Sequence, residues 1–407
     1  MTSTTLDTDI ELLPPTSAEA VRRNAEALLP LVAEEADGIE AGARLTPRAE
    51  AAMRAAGVFE MAFPARRGGL EMTLADQLEV TATVAAVDAS AGWNIGVLNA
   101  GGIYATRLGD EAYAELYPTR DHPTSGSFHP RGRADRVEGG YLVSGQWDWG
   151  SGSYTADYIV GGGEVFDDRE PVLDDQGVQR VLGFWLPQEA LIIEHNWQTL
   201  GVRGTGSTSY RIDTPTFVPE RYTFDRLAPD TADADPLNKS VTLAHFALGG
   251  VVLGIARHLV QLTGETILVR GGARADSTTK QALGEMMAEV DYAYAGARET
   301  ARMTDEIIFT PGRGLTPLER ARMTAANTAS AGALQRVLTQ CIEIASAHYI
   351  RDRNPIQRVI RDAMSALAHA GTRKKHLVAL AHAALTDPSG GWTVPDRPSH
   401  GLPDGRW

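Results

Sequence analysis

The apolar spacing of this sequence changes period twice, and few folds accommodate that order. From 16 to 120, apolar residues recur at helical intervals, as in Leu28, Leu29, Val32 and Ala33. From 121 to 226 the spacing becomes strand-like. Tyr141-Leu142-Val143 follows the turn Gly139-Gly140, and Asp157 to Val160, Val181 to Leu186 and Ser209 to Ile212 read as further strands. From 237 to 386 helical spacing returns in long Ala-rich stretches. Local punctuation agrees. Thr16 with Glu19 predicts a capping box, Thr46-Pro47 an N-cap with Pro at N1 and Gly57 as the stop, and Thr316-Pro317-Leu318-Glu319 an N-cap, Pro at N1 and a capping box together. A helix from near Thr73 toward Asp88 precedes the Gly-rich run 91–102, which reads as tightly packed helix. The segment 167–179 reads as an acidic hairpin loop and 225–235 as an acidic linker. The segment 387–407 reads as an extended C-terminal tail. The expectation is an α+β multidomain chain: an N-terminal helical domain, a central β-barrel or sandwich domain and a C-terminal helical bundle.

Composition narrows the function classes. With 38 Lys+Arg against 52 Asp+Glu the net charge is −14, which disfavours nucleic acid and anionic membrane surfaces as partners. A lone cysteine, Cys341, argues for a reducing compartment and against thiolate metal sites. The first 15 residues lack the basic and apolar regions of a signal peptide, and no run of 18 apolar residues occurs. A soluble, cytoplasmic protein is expected.

The common catalytic signatures are missing. Gly204-Thr205-Gly206 leads to Ser209 where a dinucleotide fingerprint needs its third glycine. There is no P-loop, no G-x-S-x-G elbow, no H-E-x-x-H and no E-x-x-H. His369, His376 and His382 cluster in sequence, and on one helix the first two would lie about 10 Å apart, too far to share a metal. No metal is expected, and a bound organic cofactor is the better source of chemistry.

Three constellations remain. Trp147 to Asp157 places small hydroxyl residues beside two tryptophans, a surface for a flat ring or a β-turn with core tryptophans. Trp197 to Ser207 is a Gly- and hydroxyl-rich loop with one Arg, a cradle for a phosphate or ring carbonyl or an ordinary loop. Asn354 to Asp362, leading to His369, sets two arginines and an aspartate on one helix, for function or as a surface charge network.

In this order and spacing the three segments, with Val218-Pro219, resemble the acyl-CoA dehydrogenase fold over about 16–385. The resemblance implies a C-terminal four-helix bundle. Where the dehydrogenases carry their catalytic Glu, this chain has Arg353, which cannot act as a base, and Asp352 is one residue off. The sequence is more similar to the oxygenase components of two-component flavin-dependent monooxygenases. The features are Ser151-Gly152 after the Trp, Asn354-Pro355-Ile356-Gln357-Arg358 before Arg361-Asp362, and His369 seven residues beyond Asp362. Gly150 stands where that branch often has a first Ser.

The resemblance implies hydroxylation of a phenol- or indole-like aromatic through a C4a-hydroperoxyflavin, with N- or S-oxygenation and acyl-CoA dehydrogenation as alternatives. Reduced flavin, FADH2 or FMNH2, would come from an NAD(P)H-dependent flavin reductase, with O2 as co-substrate. Ser151 and His369 would be catalytic, the first facing flavin N5 and the second acting as base or hydrogen-bond donor. Trp147, Ser151, Gly152, Trp197, Arg203, Thr205 and Ser207 would bind the cofactor. Trp93, Asn94 and His369 would face the substrate. A homotetramer is the family's usual assembly.

Overall fold

The computed structural model describes residues 10–225, 230 and 234–386. The predicted tail lies outside the described residues, as does most of the predicted linker. The N-terminal helices are α1 (Ala18–Ala27), α2 (Leu29–Gly42), α3 (Pro47–Ala55), α4 (Leu74–Ala85), α5 (Ala89–Leu98), α6 (Ala100–Ala105) and α7 (Asp110–Leu116). The strands follow as β1 (Thr124–Val137), β2 (Gly140–Gly150), β3 (Tyr158–Asp167), β4 (Glu170–Pro171), β5 (Val181–Leu186), β6 (Ile192–Ile193), β7 (Thr208–Pro219) and β8 (Thr223–Asp225). The chain then returns to α8 (Leu248–Arg270), α9 (Ser277–Ile308), α10 (Pro317–Ala345), α11 (Pro355–Leu367) and α12 (Lys375–Thr386).

Caps explain most of these starts. Thr46 accepts the Ala49 N–H ahead of Pro47, and Thr316 and Glu319 form the expected reciprocal capping box. The first helix starts one residue later than expected. The Thr16 N–H bonds back to the Pro14 carbonyl in a tight turn, so Ser17 rather than Thr16 accepts the Ala20 N–H. Another difference concerns the histidines. The α11 helix ends at Leu367, His369 opens a short 3-10 turn and His376 lies in α12, so His369 and His376 do not share a helix face.

The eight strands form one mixed sheet in the order β6-β7-β2-β1-β3-β5-β8, with β4 hairpinned onto β3. The β1 and β3 strands run parallel and the remaining pairs antiparallel. Alternate residues fill one core, with Tyr141, Val143, Trp147, Phe184, Tyr210 and Ile212 buried together.

The two helical segments share a core. The α4 and α5 helices cross α8 closely. A Cβ added at Gly254 would lie 2.5 Å from Ala85 Cβ, and one at Gly250 would lie 2.7 Å from the Leu78 carbonyl oxygen. Part of the glycine in α8 is therefore spent on packing within the chain. From α9, the Asp305 carboxylate accepts the N–H groups of Leu74 and Ala75 at 2.7 and 3.1 Å, capping α4 across more than 200 residues of sequence. The stretch Val241–Arg270 is long and apolar enough to cross a membrane, but 78% of its apolar 18-residue window is buried inside the protein, as in a core helix.

Candidate functional site

The C-terminal end of β2, the loop before β7, helix α5 and the end of α11 meet at one place. The loop is held by α11. Asp362, fully buried, accepts the Val202 N–H at 2.6 Å, and Arg361 Nη1 donates to the Leu200 carbonyl and to Glu40, each at 2.7 Å. Between these two bonds Gly201 lies flat on the helix; a Cβ there would be 2.3 Å from the Arg361 carbonyl oxygen. Val202 is held at φ +46°, a conformation that a β-branched residue rarely adopts. Arg358 donates to Asp37 on α2. Arg358 and Arg361 therefore join α11 to α2, and Arg361 and the buried Asp362 join it to the loop.

Burial raises the Asp362 carboxyl, the Val202 N–H opposes that, and nearby Asp88 and Glu40 add to the rise; the result is about 7. The same α11 leads to His369, whose Nδ1 accepts the Gly371 N–H at 3.1 Å. That assignment puts the hydrogen of the neutral ring on Nε2. Burial, with His245 and Arg373 adding to it, pushes His369 down to about 4, so the neutral form prevails at pH 7. The His369 ring stands edge-on to Trp93, with centroids 5.3 Å apart.

Trp93, on α5, donates its Nε1–H to Ser151 Oγ at 3.3 Å. Ser151 is 7% exposed and begins the turn after β2, where its carbonyl accepts from Ser125 Oγ. Its hydroxyl also lies 2.6 Å from Ser207 Oγ, which lies 2.8 Å from Thr205 Oγ1, and Thr205 donates to the Val202 carbonyl. Ser153 and Thr208 make a parallel hydroxyl pair at 2.7 Å. Three of the predicted residues, Trp93, Ser151 and His369, are therefore contiguous although they come from three distant segments.

Other expected site residues are placed differently. Trp147 is fully buried inside the sheet as a core residue, its Nε1–H on the Gly162 carbonyl and its ring stacked on Tyr210. Regular strand alternation would put Trp147 and Trp149 on the same face, but the positive φ of Trp149 and the register shift between Trp147 and Gly150 turn Trp149 outward. Asn94 is buried, and its amide N–H groups tie the Ser90 and Gly204 carbonyls together, bracing α5 against the loop and leaving its Oδ1 without a hydrogen-bond partner. Thr205 and Ser207 are also enclosed, bonding to each other, and Ser207 to Ser151. Gly152 spends its N–H on the Thr205 carbonyl. Arg203 remains at the surface, donating to the Thr199 carbonyl near Glu40.

Trp197 is half-buried and meets the ring of Trp149 edge-on at 5.8 Å. Trp149 is 69% exposed and sits at φ +69°, a conformation rare for a bulky residue. It was absent from the predicted site residues. Its W-x-W spacing from the core Trp147 carries no signal for an outward position, because regular alternation would bury both; the outward turn comes from the positive φ and register shift at the end of β2.

The family "Acyl-CoA dehydrogenase, C-terminal domain" matches residues 246–374. The oxygenase subunit HsaA of a flavin-dependent monooxygenase from Mycobacterium tuberculosis is 27% identical over 409 aligned residues, covering 95% of this chain and 97% of the relative. An indole-3-acetate monooxygenase from Pseudomonas putida is 34% identical over 251 residues, 60% of this chain and 61% of that relative. Among solved structures, XiaF from Streptomyces sp. in complex with FADH2 and glycerol superposes with a TM-score of 0.83 at 22% identity, covering 94% of this chain and 97% of that one.

Asp362 gives a test of how the loop is held. Asp362→Ala leaves the Val202 N–H buried and unpaired and should cost about 1–3 kcal/mol in urea unfolding. Asp362→Asn keeps an acceptor and should cost less. Because the folded carboxyl titrates above its ordinary 3.8, its contribution is complete below that value and lost as pH rises through about 7. Asp362→Asn should remove that part of the decline, measured as unfolding midpoints at pH 5 and 8.

Proposed function

We propose that this chain, which belongs with the oxygenase components of two-component flavin-dependent monooxygenases of the acyl-CoA dehydrogenase fold, hydroxylates a phenol- or indole-like aromatic using O2 and reduced flavin supplied by a separate reductase. One observation carries the reading of the site. Ser151, Trp93 and His369 form one contact chain, and its two ends each keep a polar position for a ligand. Ser151 Oγ has a second lone pair, and His369 has its Nε2–H. Between them lies an aromatic wall rather than a charged base, as shielding a water-sensitive reaction requires.

When bound, reduced flavin supplies the activation of O2 and the transfer of one oxygen atom; reduced FAD is the preferred form in this proposal. Ser151 meets its ring edge and Trp197 walls it, with Trp149 beside Trp197. Arg203 offers the exposed cation for the phosphates. Gly152, Thr205 and Ser207 hold Ser151 from behind. These residues fit the group: a hydroxyl, an exposed aromatic corner and a surface guanidinium occur within one turn and one loop. His369 donates from Nε2 toward the reacting oxygen. With Nδ1 occupied by Gly371 and the ring neutral, donation suits it better than the role of a general base.

The dehydrogenase alternative loses further support. Arg353 and Asp352 are both exposed in the bend before α11, so neither is a buried carboxylate poised over a thioester. We further propose a homotetramer. Leu268, Val269, Tyr292, Val378 and Leu385 expose apolar surface on the C-terminal helices, the kind of area that subunit contacts cover. The single cysteine, buried in α10, fits a cytoplasmic setting.

The test is anaerobic reduction of FAD, mixing with the protein and a panel of phenols and indoles, then admission of O2. The expected result is hydroxylated product in step with flavin oxidation. Oxidation at the rate of free flavin, with no product from any aromatic, would refute the proposal. In the same assay His369→Ala should lower product per flavin by about a hundredfold. The wild-type yield should show no ionisation of His369 from pH 8 down to about 5, with loss only as pH approaches about 4. A yield that titrates near 6.5 would contradict the burial of His369 as a neutral ring.

A further inference from the structure

The hydroxyl chain behind Ser151 has a direction, and that direction can be derived. A hydroxyl carries one hydrogen and two lone pairs. Thr205 donates its hydrogen to the Val202 carbonyl at 2.8 Å, and a carbonyl can only accept. Ser207 must therefore donate to Thr205 across their 2.8 Å contact. With its hydrogen spent there, Ser207 can only accept from Ser151 across 2.6 Å. Ser151 has then no hydrogen left. One of its lone pairs accepts from Trp93 Nε1–H, and the other remains. All three hydroxyls are at least nine-tenths enclosed, so water does not readily offer an alternative partner to any of them. The terminus of the chain is fixed as well. The Val202 carbonyl belongs to the residue whose N–H is held by Asp362 and whose backbone is left-handed.

We propose that Thr205 and Ser207 are positioning residues that preset Ser151 as a hydrogen-bond acceptor, and so select the redox state of the flavin. This rests on the flavin reading above. The two redox forms of an isoalloxazine differ at N5. The reduced ring carries an N–H there, which matches a hydroxyl oxygen able only to accept. The oxidised ring presents a bare lone pair at N5, which faces another lone pair on Ser151. Reversing Ser151 to meet it would require all three hydroxyls to turn together and would leave Thr205 Oγ1 2.8 Å from the Val202 carbonyl oxygen with no hydrogen between them, although that carbonyl keeps the Thr205 N–H and the Trp197 Nε1–H. The chain therefore favours reduced flavin and disfavours the oxidised form by the same geometry, with no charged residue at N5. Such a device suits a protein that must capture the reduced form and release the spent one.

The experiment measures dissociation constants for oxidised FAD and for anaerobically reduced FAD, by fluorescence and absorbance titration, with no turnover required. The wild type should bind reduced FAD more tightly. Ser207→Ala removes the acceptor of the Ser151 hydrogen and frees that hydroxyl to donate. It should bind oxidised FAD more tightly, narrowing the ratio of the two constants about three- to tenfold. Thr205→Val should narrow it in the same sense, because Ser207 then turns to donate to Ser151. Thr205→Ser keeps the hydroxyl and should keep the wild-type ratio. Ser151→Ala should weaken only the reduced form. If Ser207→Ala fails to fold, Thr205→Val carries the same expectation. Ratios unchanged in folded Ser207→Ala or Thr205→Val, with both forms still bound, would overturn the inference and leave the flavin reading standing. A wild type that binds neither form would overturn both.

Discussion

The contact on which the rest of the site depends is the seating of Leu200-Gly201-Val202 against α11. Two consecutive residues, Arg361 and Asp362, hold it from above and below, through the Leu200 carbonyl and the Val202 N–H. The glycine between has no side chain because the helix backbone occupies that space. This seating turns Val202 left-handed and aims its carbonyl at Thr205. From there the hydroxyls run to Ser151 and, through Trp93, to His369, which the same α11 helix carries beyond its C-terminus. One helix therefore positions both ends of the site, so its motion would move them together.

The sheet and the helices contribute rigidity of different kinds. In the sheet, Trp147 and Tyr210 stack in the core and fix where β2 ends, which in turn fixes the turn bearing Ser151. In the helical part, α5 is pressed between the crossing of α4 with α8 and the glycine loop, which Asn94 grips through the Gly204 carbonyl. Trp93 has little freedom in such packing. A polar chain buried this fully is costly if any member loses its partner, and that cost keeps the hydroxyls in one arrangement.

Much of this was legible in the sequence. The helical, strand-like and helical periods correspond to the observed order of elements. The capping signals at Thr46 and Thr316 were read to the residue, because capping is a local interaction between positions three apart. The turn Trp147 to Asp157, the loop Trp197 to Ser207 and the segment leading to His369 do converge. The roles within them were less legible. Trp147 and Trp149 are two residues apart and of one type, and strand parity alone would put both on one face; the irregular, positive-φ end of β2 sends one into the core and the other to the surface. The sequence marks Thr205 and Ser207 as hydroxyls but does not show that they are buried and bonded in a chain to Ser151, because a buried hydroxyl and an exposed one have the same letter. Thr16 was misjudged because two prolines shift a helix start by one residue.

The sequence by itself determined the order of elements, the kind of chemistry open to the chain and the segments that would carry it. These follow from local periodicity, residue type and motif spacing. Only the tertiary structure decided that Ser151 meets Ser207, that Trp93 bridges Ser151 and His369, and that Asp362 holds Val202. Those contacts join residues tens to hundreds of positions apart, and their direction depends on which hydrogen is already spent. A hydrogen-bond chain acquires its polarity at a fixed end, and here that end is a carbonyl oriented by a helix that begins more than 150 residues later.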